Sequence, residues 1–204
     1  MITGAVLAGG TSSRFGKEKA LADFGSRTMI SHVIAVLQQL ADEIVMSVAP
    51  GRKPYYAHLL GNDILVVEDE RTGEGPIRGL VTALEASHGE YVLASPCDTP
   101  LLRREVCEKI AAMGVGKDGA VPRVRGYLEP LHAIYKRGPC LKAFQQVIKE
   151  GVLRPKEAFG LLDLAIVEEE ELRTVDPELV SFVNINSEEV LASSVKKYGL
   201  EWWD

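Results

Sequence analysis

Between Leu7 and Lys19 the chain reads Leu-Ala-Gly-Gly-Thr-Ser-Ser-Arg-Phe-Gly-Lys-Glu-Lys, which places two adjacent glycines and the cations Arg14, Lys17 and Lys19 in one short span. A loop of exposed backbone N–H groups beside cations is what a polyphosphate requires. The donors cradle the oxygens, and the cations offset charge that would otherwise be desolvated alone. Gly9 and Gly10 let the backbone turn and approach a ligand closely. Two better-known phosphate loops do not fit. Five residues separate Gly10 from Gly16 and Glu18 stands where a P-loop carries its metal-binding hydroxyl, while the adjacency of Gly9 and Gly10 breaks the G-x-G-x-x-G dinucleotide pattern. A glycine turn with surface cations is the plainer alternative. The buried-type strand that feeds the loop, Ile2 with Ala5 to Ala8, favours the phosphate site.

A second chemical feature is Asp98 in Ser95-Pro-Cys-Asp-Thr-Pro100, directly after the apolar run Tyr91-Val-Leu-Ala. A carboxylate there could hold a hard cation beside phosphates, or it could cap the following helix. Asp69 follows the apolar run Ile64 to Val67 in the same way, and Asn184 and Asn186 lie in Phe182-Val-Asn-Ile-Asn186. His32, His58, His88 and His132 fall on helices, a helix end or a strand with no nucleophile or carboxylate paired to them in sequence, and are read as structural. Cys97 is read as a packed thiol.

The elements that must position these residues alternate. Apolar residues Ile30, Val33, Ile34, Leu37, Leu40 and Ala41 form one stripe of a helix. A strand over Glu43 to Val48, a short helix over Tyr55 to Leu60 and a strand over Ile64 to Val67 follow. A helix on Ile77, Leu80, Val81 and Leu84, a strand over Tyr91 to Ser95 and a helix on Val106, Ile110 and Met113 continue the pattern. Strand and helix in alternation predict βαβ units on a mostly parallel sheet, whose ligands collect beyond the carboxyl ends of the strands. Later, Val121 to Arg125 and Leu128 to Tyr135 read as antiparallel strands around Gly126. A helix marked by Leu141, Phe144 and Ile148, another over Lys156 to Leu162, an edge strand over Leu164 to Val167 and a last helix capped by Ser187 complete the chain. Glu168 to Glu171 reads as a solvated charge run.

Bulk properties bound the answer. With 204 residues and 46% hydrophobic content, one α/β domain with a single core is expected. A net charge of −6 argues against nucleic acid as a partner, though a small polyanion needs only a local positive patch. Three cysteines without C-x-x-C spacing indicate neither a disulfide framework nor zinc, and fit a reducing cytoplasm. No apolar run approaches the length of a membrane span, so a soluble protein is expected.

Taken together, Leu7-Ala-Gly-Gly with Arg14, Gly16 and Lys19, then Gly75-Pro-Ile-Arg-Gly79, Pro96-Cys-Asp-Thr-Pro100, Glu129-Pro-Leu131 and Asn184-Ile-Asn186 resemble the molybdenum cofactor guanylyltransferases over about residues 5 to 191. The glycine loop is common to many nucleotidyltransferases; the last elements are narrower. The resemblance implies a single three-layer α/β/α domain, Rossmann-like and mostly parallel, with antiparallel additions in the C-terminal half. It implies transfer of GMP from GTP to the terminal phosphate of molybdopterin or the molybdenum cofactor, with Mg2+ and release of pyrophosphate. Residues 1–100 would form the nucleotide half and 101–204 the acceptor half. It places GTP on Leu7, Ala8, Gly9, Gly10 and Lys19, Asp69 near the guanosine and Asp98 on magnesium. Arg14, Arg154, Asn184 and Asn186 fall to the acceptor side or the catalytic centre. Transient contact with other cofactor-biosynthesis or molybdoenzyme-maturation proteins is compatible with it. The chain departs from relatives that carry an Asn after the second strand, having Val48-Ala-Pro-Gly51. A cytidylyltransferase, a guanylyltransferase for another phosphorylated acceptor, and a GTP sensor without turnover are the alternatives.

Overall fold

The computed structural model describes residues 1–9, 18–71 and 75–198, so Gly10, Arg14, Lys17 and the Trp202-Trp203 pair lie outside the described residues. The first strand, β1 (Ile2–Ala8), runs through the middle of the sheet with Ala5 and Val6 wholly buried, as a strand covered on both faces must be. A 3-10 turn (Lys19–Leu21) and a small hairpin, β2 (Asp23–Phe24) with β3 (Arg27–Thr28), lead into α1 (Met29–Leu37). Then come β4 (Glu43–Val48), α2 (Lys53–Leu60), β5 (Ile64–Glu68), α3 (Pro76–Ala86), β6 (Tyr91–Pro96) and α4 (Arg104–Gly114). This half matches the expected alternation closely. Helix α2 starts two residues before Tyr55 because Pro54, which lacks a donor and has a fixed φ, sits comfortably in a first turn.

The second half holds β7 (Gly119–Val124), β8 (Tyr127–Leu128), β9 (Ala133–Lys136), α5 (Arg137–Lys149), β10 (Leu164–Val167), α6 (Glu169–Arg173) and α7 (Glu188–Tyr198). Arg125 (φ 51°) and Gly126 (φ 81°) form a two-residue hairpin turn that pairs Val124 with Tyr127. The single strand expected over Leu128 to Tyr135 is corrected to two. Pro130 has no amide to donate, and the His132 amide bonds the Glu129 carbonyl at 3.1 Å, which closes a turn between β8 and β9. The helix expected over Lys156 to Leu162 is a 3-10 segment, Pro155–Leu161. The acidic run builds α6, whose Glu168 and Glu171 form a capping box.

The strand order is β10-β7-β9-β6-β1-β4-β5, with β9 antiparallel between β6 and β7 and the other six parallel. One core cluster joins α1, α2 and α4 to one face of the sheet; a second joins α3 and α5 to the other, giving three layers. The chain leaves β1 for β4 on one side and returns to β6 on the other, so β1 and β6 flank a topological switch point. No described helix is long and apolar enough to cross a membrane.

Candidate functional site

At the carboxyl edge of the sheet a cavity of about 630 Å³ opens over the ends of β1, β4, β5 and β6. Leu7, Ala8, Gly9, Lys19, Asp69, Asp98, Asn184 and Asn186 all border it. Parallel pairing is the reason these distant segments meet. The register Leu7↔Ser47, Ser47↔Val67 and Leu7↔Pro96 ends the strands together, so the residues following each lie side by side. Backbone bonds from Cys97 N to Leu7 O (3.1 Å) and from Asp69 N to Val48 O (2.8 Å) extend the alignment past the strands.

Lys19 projects from its 3-10 turn while the neighbouring Ala20 is buried against the core, which pins the turn. Its Nζ lies 2.5 Å from Asp98 Oδ2 and 2.5 Å from Asn186 Oδ1. The Asp98 and Lys19 side chains are only 18% and 16% exposed, so each charge has lost much of its water and needs the other. Asp98 caps no helix, since α4 begins at Arg104 with Arg103 as its cap residue. Thr99 Oγ1 bonds the Pro96 carbonyl at 3.0 Å and holds the loop that presents Asp98.

The asparagines are placed by alternation. Ile185 is fully buried with Phe24, Met29, Leu101 and Val180, and its amide bonds the Asp98 carbonyl at 2.9 Å. Its two neighbours, Asn184 and Asn186, consequently border the cleft. On the opposite flank Asp69 is 7% exposed; burial raises its carboxyl pKa, against the lowering influence of the Thr82 hydroxyl and Arg78. Its Oδ1 is buried with no hydrogen-bond partner, and a Cβ on Gly9 would collide with Oδ2. Glycine is therefore the residue that lets β1 run past this carboxylate. Arg154 is exposed and does not border the cavity, though the carbonyl of its neighbour Leu153 packs against Gly75, which does. Gly10 and Arg14 lie outside the described residues.

Sequence reasoning missed Glu129 and His132, which also border the cleft. Glu129-Pro-Leu131 carries the only prior signal, as a motif without a role, and His132 is corrected from a purely structural histidine to a wall of the site. Burial lowers its imidazole from 6.5 to about 3, so it is neutral at pH 7. Cys97 borders the cleft too, but burial and the adjacent Asp98 push its thiol to about 12, which leaves no thiolate to act as nucleophile. Among the described residues no three His, Cys, Asp or Glu side chains converge to hold a metal by themselves. A hard cation at Asp98 would need oxygen ligands from a bound substrate, and Mg2+ characteristically combines one or two carboxylates with substrate phosphates and water.

The comparisons with known proteins agree with one another. A family model described as the MobA-like NTP transferase domain matches residues 4–159. The "Molybdenum cofactor guanylyltransferase" of Desulfosudis oleivorans is 35% identical over 193 residues, covering 93% of this chain and 92% of that protein. The "Probable molybdenum cofactor guanylyltransferase" of Pelotomaculum thermopropionicum is 34% identical over 185 residues, covering 91% and 87%. Among solved structures, molybdopterin-guanine dinucleotide biosynthesis protein A from Archaeoglobus fulgidus superposes with a TM-score of 0.79 at 27% identity, covering 96% of this chain and 97% of the other. A 2-C-methyl-D-erythritol 4-phosphate cytidylyltransferase from Thermus thermophilus shares the fold with a TM-score of 0.71 at 18% identity, covering 97% and 98%.

Proposed function

Because the chain belongs to the MobA-like NTP transferase family, we propose that it transfers GMP from GTP to the terminal phosphate of molybdopterin or its molybdenum form, releasing pyrophosphate. What supports the reading is the meeting of Lys19, Asp98 and Asn186 at the switch point, between strand ends that suit a nucleotide on one side and the β9 flank on the other. The first hundred residues serve mainly the nucleotide and the rest mainly the acceptor.

The chemistry asks for little acid or base. A phosphate monoester has a second pKa near 6, so the acceptor is already an anionic nucleophile at pH 7. An acceptor oxygen forms a bond to the α-phosphorus of GTP as the bond from that phosphorus to the bridging oxygen breaks, and pyrophosphate leaves with the electron pair. The protein's task is to align two polyanions and relieve their repulsion. Lys19 supplies a cation where the phosphates gather, and the backbone from Leu7 to Gly9 is held close by the fixed end of β1. Asp69, with a buried unpaired oxygen, accepts a hydrogen bond from the guanosine. Asn184 and Asn186 orient the acceptor phosphate. Asp98 would hold Mg2+, which, when bound, would supply positive charge against that of the phosphates. Three free thiols suit a cytoplasmic setting.

The experiment is pyrophosphate release from GTP, CTP, ATP and UTP, each with and without molybdopterin. Release only with GTP and molybdopterin together is expected. Equal release with CTP would replace the reading by cytidylyl transfer, and GTP binding without release would make the protein a sensor.

A further inference from the structure

The turn between β8 and β9 is held unusually firmly for a connecting loop. The Glu129 amide bonds the Pro122 carbonyl at 2.9 Å, and the Tyr135 hydroxyl donates to the Pro130 carbonyl at 2.6 Å. Register locates it. Ala133 faces Ala94, so the turn before Ala133 lies beside the end of β6 and the Pro96 to Asp98 loop, on the side away from β1, β4 and β5. It therefore faces Asp69 across the Lys19 and Asp98 pair, and Glu129 and His132 border the same cavity as those three residues.

Two polar side chains of this turn border the cavity. Glu129 is a half-buried carboxyl whose pKa is raised by burial against the pull of Arg125, and no hydrogen bond or ion pair holds its side chain among the described residues. His132 is 4% exposed, its Nε2 has no partner, and its ring lies 5.2 Å from the Phe182 ring at a 59° tilt. A buried imidazole nitrogen without a hydrogen bond is costly and calls for an explanation. A carboxyl group repels phosphate, and a neutral imidazole gives phosphate no charge to pair with. Together they suit a flat, uncharged heterocycle that presents N–H donors.

Resting on the reading under Proposed function, we propose that Glu129 and His132 form the subsite for the acceptor's pterin ring, hydrogen-bonding the edge that carries its 2-amino and adjacent N–H groups. These residues set which phosphorylated acceptor is used, at the end remote from the reacting phosphate. Guanine presents the same kind of edge, but the turn lies on the flank opposite the strand ends assigned to GTP. The pterin is accordingly the occupant.

Two variants test this. Glu129→Gln keeps the shape and puts an N–H donor where an acceptor stood, and His132→Phe keeps a ring while removing both nitrogens. We expect the KM for molybdopterin to rise at least about tenfold in each, with GTP affinity within about twofold. Quenching of pterin fluorescence on titration with protein should weaken in parallel, which reads binding without turnover. Thermal melting checks that both variants fold, and His132→Phe should melt no lower than the parent protein. An unchanged KM and unchanged pterin binding in both variants, with the parent active, overturn the subsite alone. A fall in GTP affinity overturns it in favour of guanine. A parent protein that neither transfers GMP nor binds pterin overturns both the subsite and the reaction.

Discussion

The Lys19 ammonium lies 2.5 Å from the Asp98 carboxylate, although the two lie 79 positions apart in the chain. The pair sits between the ends of β1 and β6, where the fold reverses its strand order, and Asn186 shares the same ammonium. Under the proposed reaction, Lys19 and Asp98 would exchange this mutual contact for the phosphates and the metal ion that accompany a nucleotide.

Asp98→Asn separates catalysis from architecture. Asn keeps the shape but replaces charge with one neutral carbonyl oxygen, so turnover should fall on the order of a hundredfold or more. Asp98 caps no helix, but Asn leaves the poorly exposed Lys19 ammonium without its carboxylate, so the melting temperature should also fall by a few degrees, with the protein still folded at the assay temperature. GMP transfer and melting measured on one sample decide it, and near-normal transfer would remove Asp98 from the reaction.

Gly9→Ala tests the close approach of β1 to Asp69. A methyl group would meet Asp69 Oδ2 inside the cleft, with an expected overpacking cost of about 1–3 kcal/mol and weakened GTP binding. In an Asp69→Ala background the same substitution should be nearly neutral. A double-mutant cycle by urea denaturation measures the coupling, and equal costs in both backgrounds would mean the glycine is needed for another reason.

Arg154→Ala should raise the KM for molybdopterin several-fold and leave GTP affinity within a small factor, as an exposed cation beside the Gly75 edge of the cleft would. Collapse of GTP binding instead would move Arg154 to the donor side.

Acid stability has two separable contributions. Burial pushes the Glu43 carboxyl up, but bonds from the Thr3 hydroxyl, the His88 amide and ring, and the Gly89 amide outweigh it and hold it at about 2. Its folded value is depressed, so this stabilisation is present above about 4.5 and is lost as pH falls toward 2. His132 is held near 3 while an unfolded imidazole titrates near 6.5, so the unfolded chain binds more protons between those values. Stability should therefore decline as pH drops below 6.5. Melting curves from pH 7 to pH 4 should show His132→Phe gaining on the parent protein as the pH falls. Glu43→Gln should instead lower the melting temperature at pH 7, with the difference shrinking toward pH 2. Parallel curves for His132→Phe would mean that the histidine is not buried neutral.

The sequence by itself determined the alternation of strands and helices in the first half, because hydrophobic period and glycine breaks are local signals. It also marked Leu7 to Gly9, Asp69, Asp98 and the asparagine pair, since ligands gather after the strands of a parallel sheet wherever the chain runs. It misread Leu128 to Tyr135 as one strand although Pro130 interrupts the run; the bond from the His132 amide to the Glu129 carbonyl closes the turn there. The tertiary structure alone decided that Asp98 pairs with Lys19 rather than capping α4, and that His132 is a wall of the cleft while Arg154 is not. Those facts depend on the antiparallel entry of β9 beside β6 and on the packing of Ile185 beneath the loop. Such contacts join segments far apart in the chain, and no local pattern of residues encodes which distant segment will lie alongside.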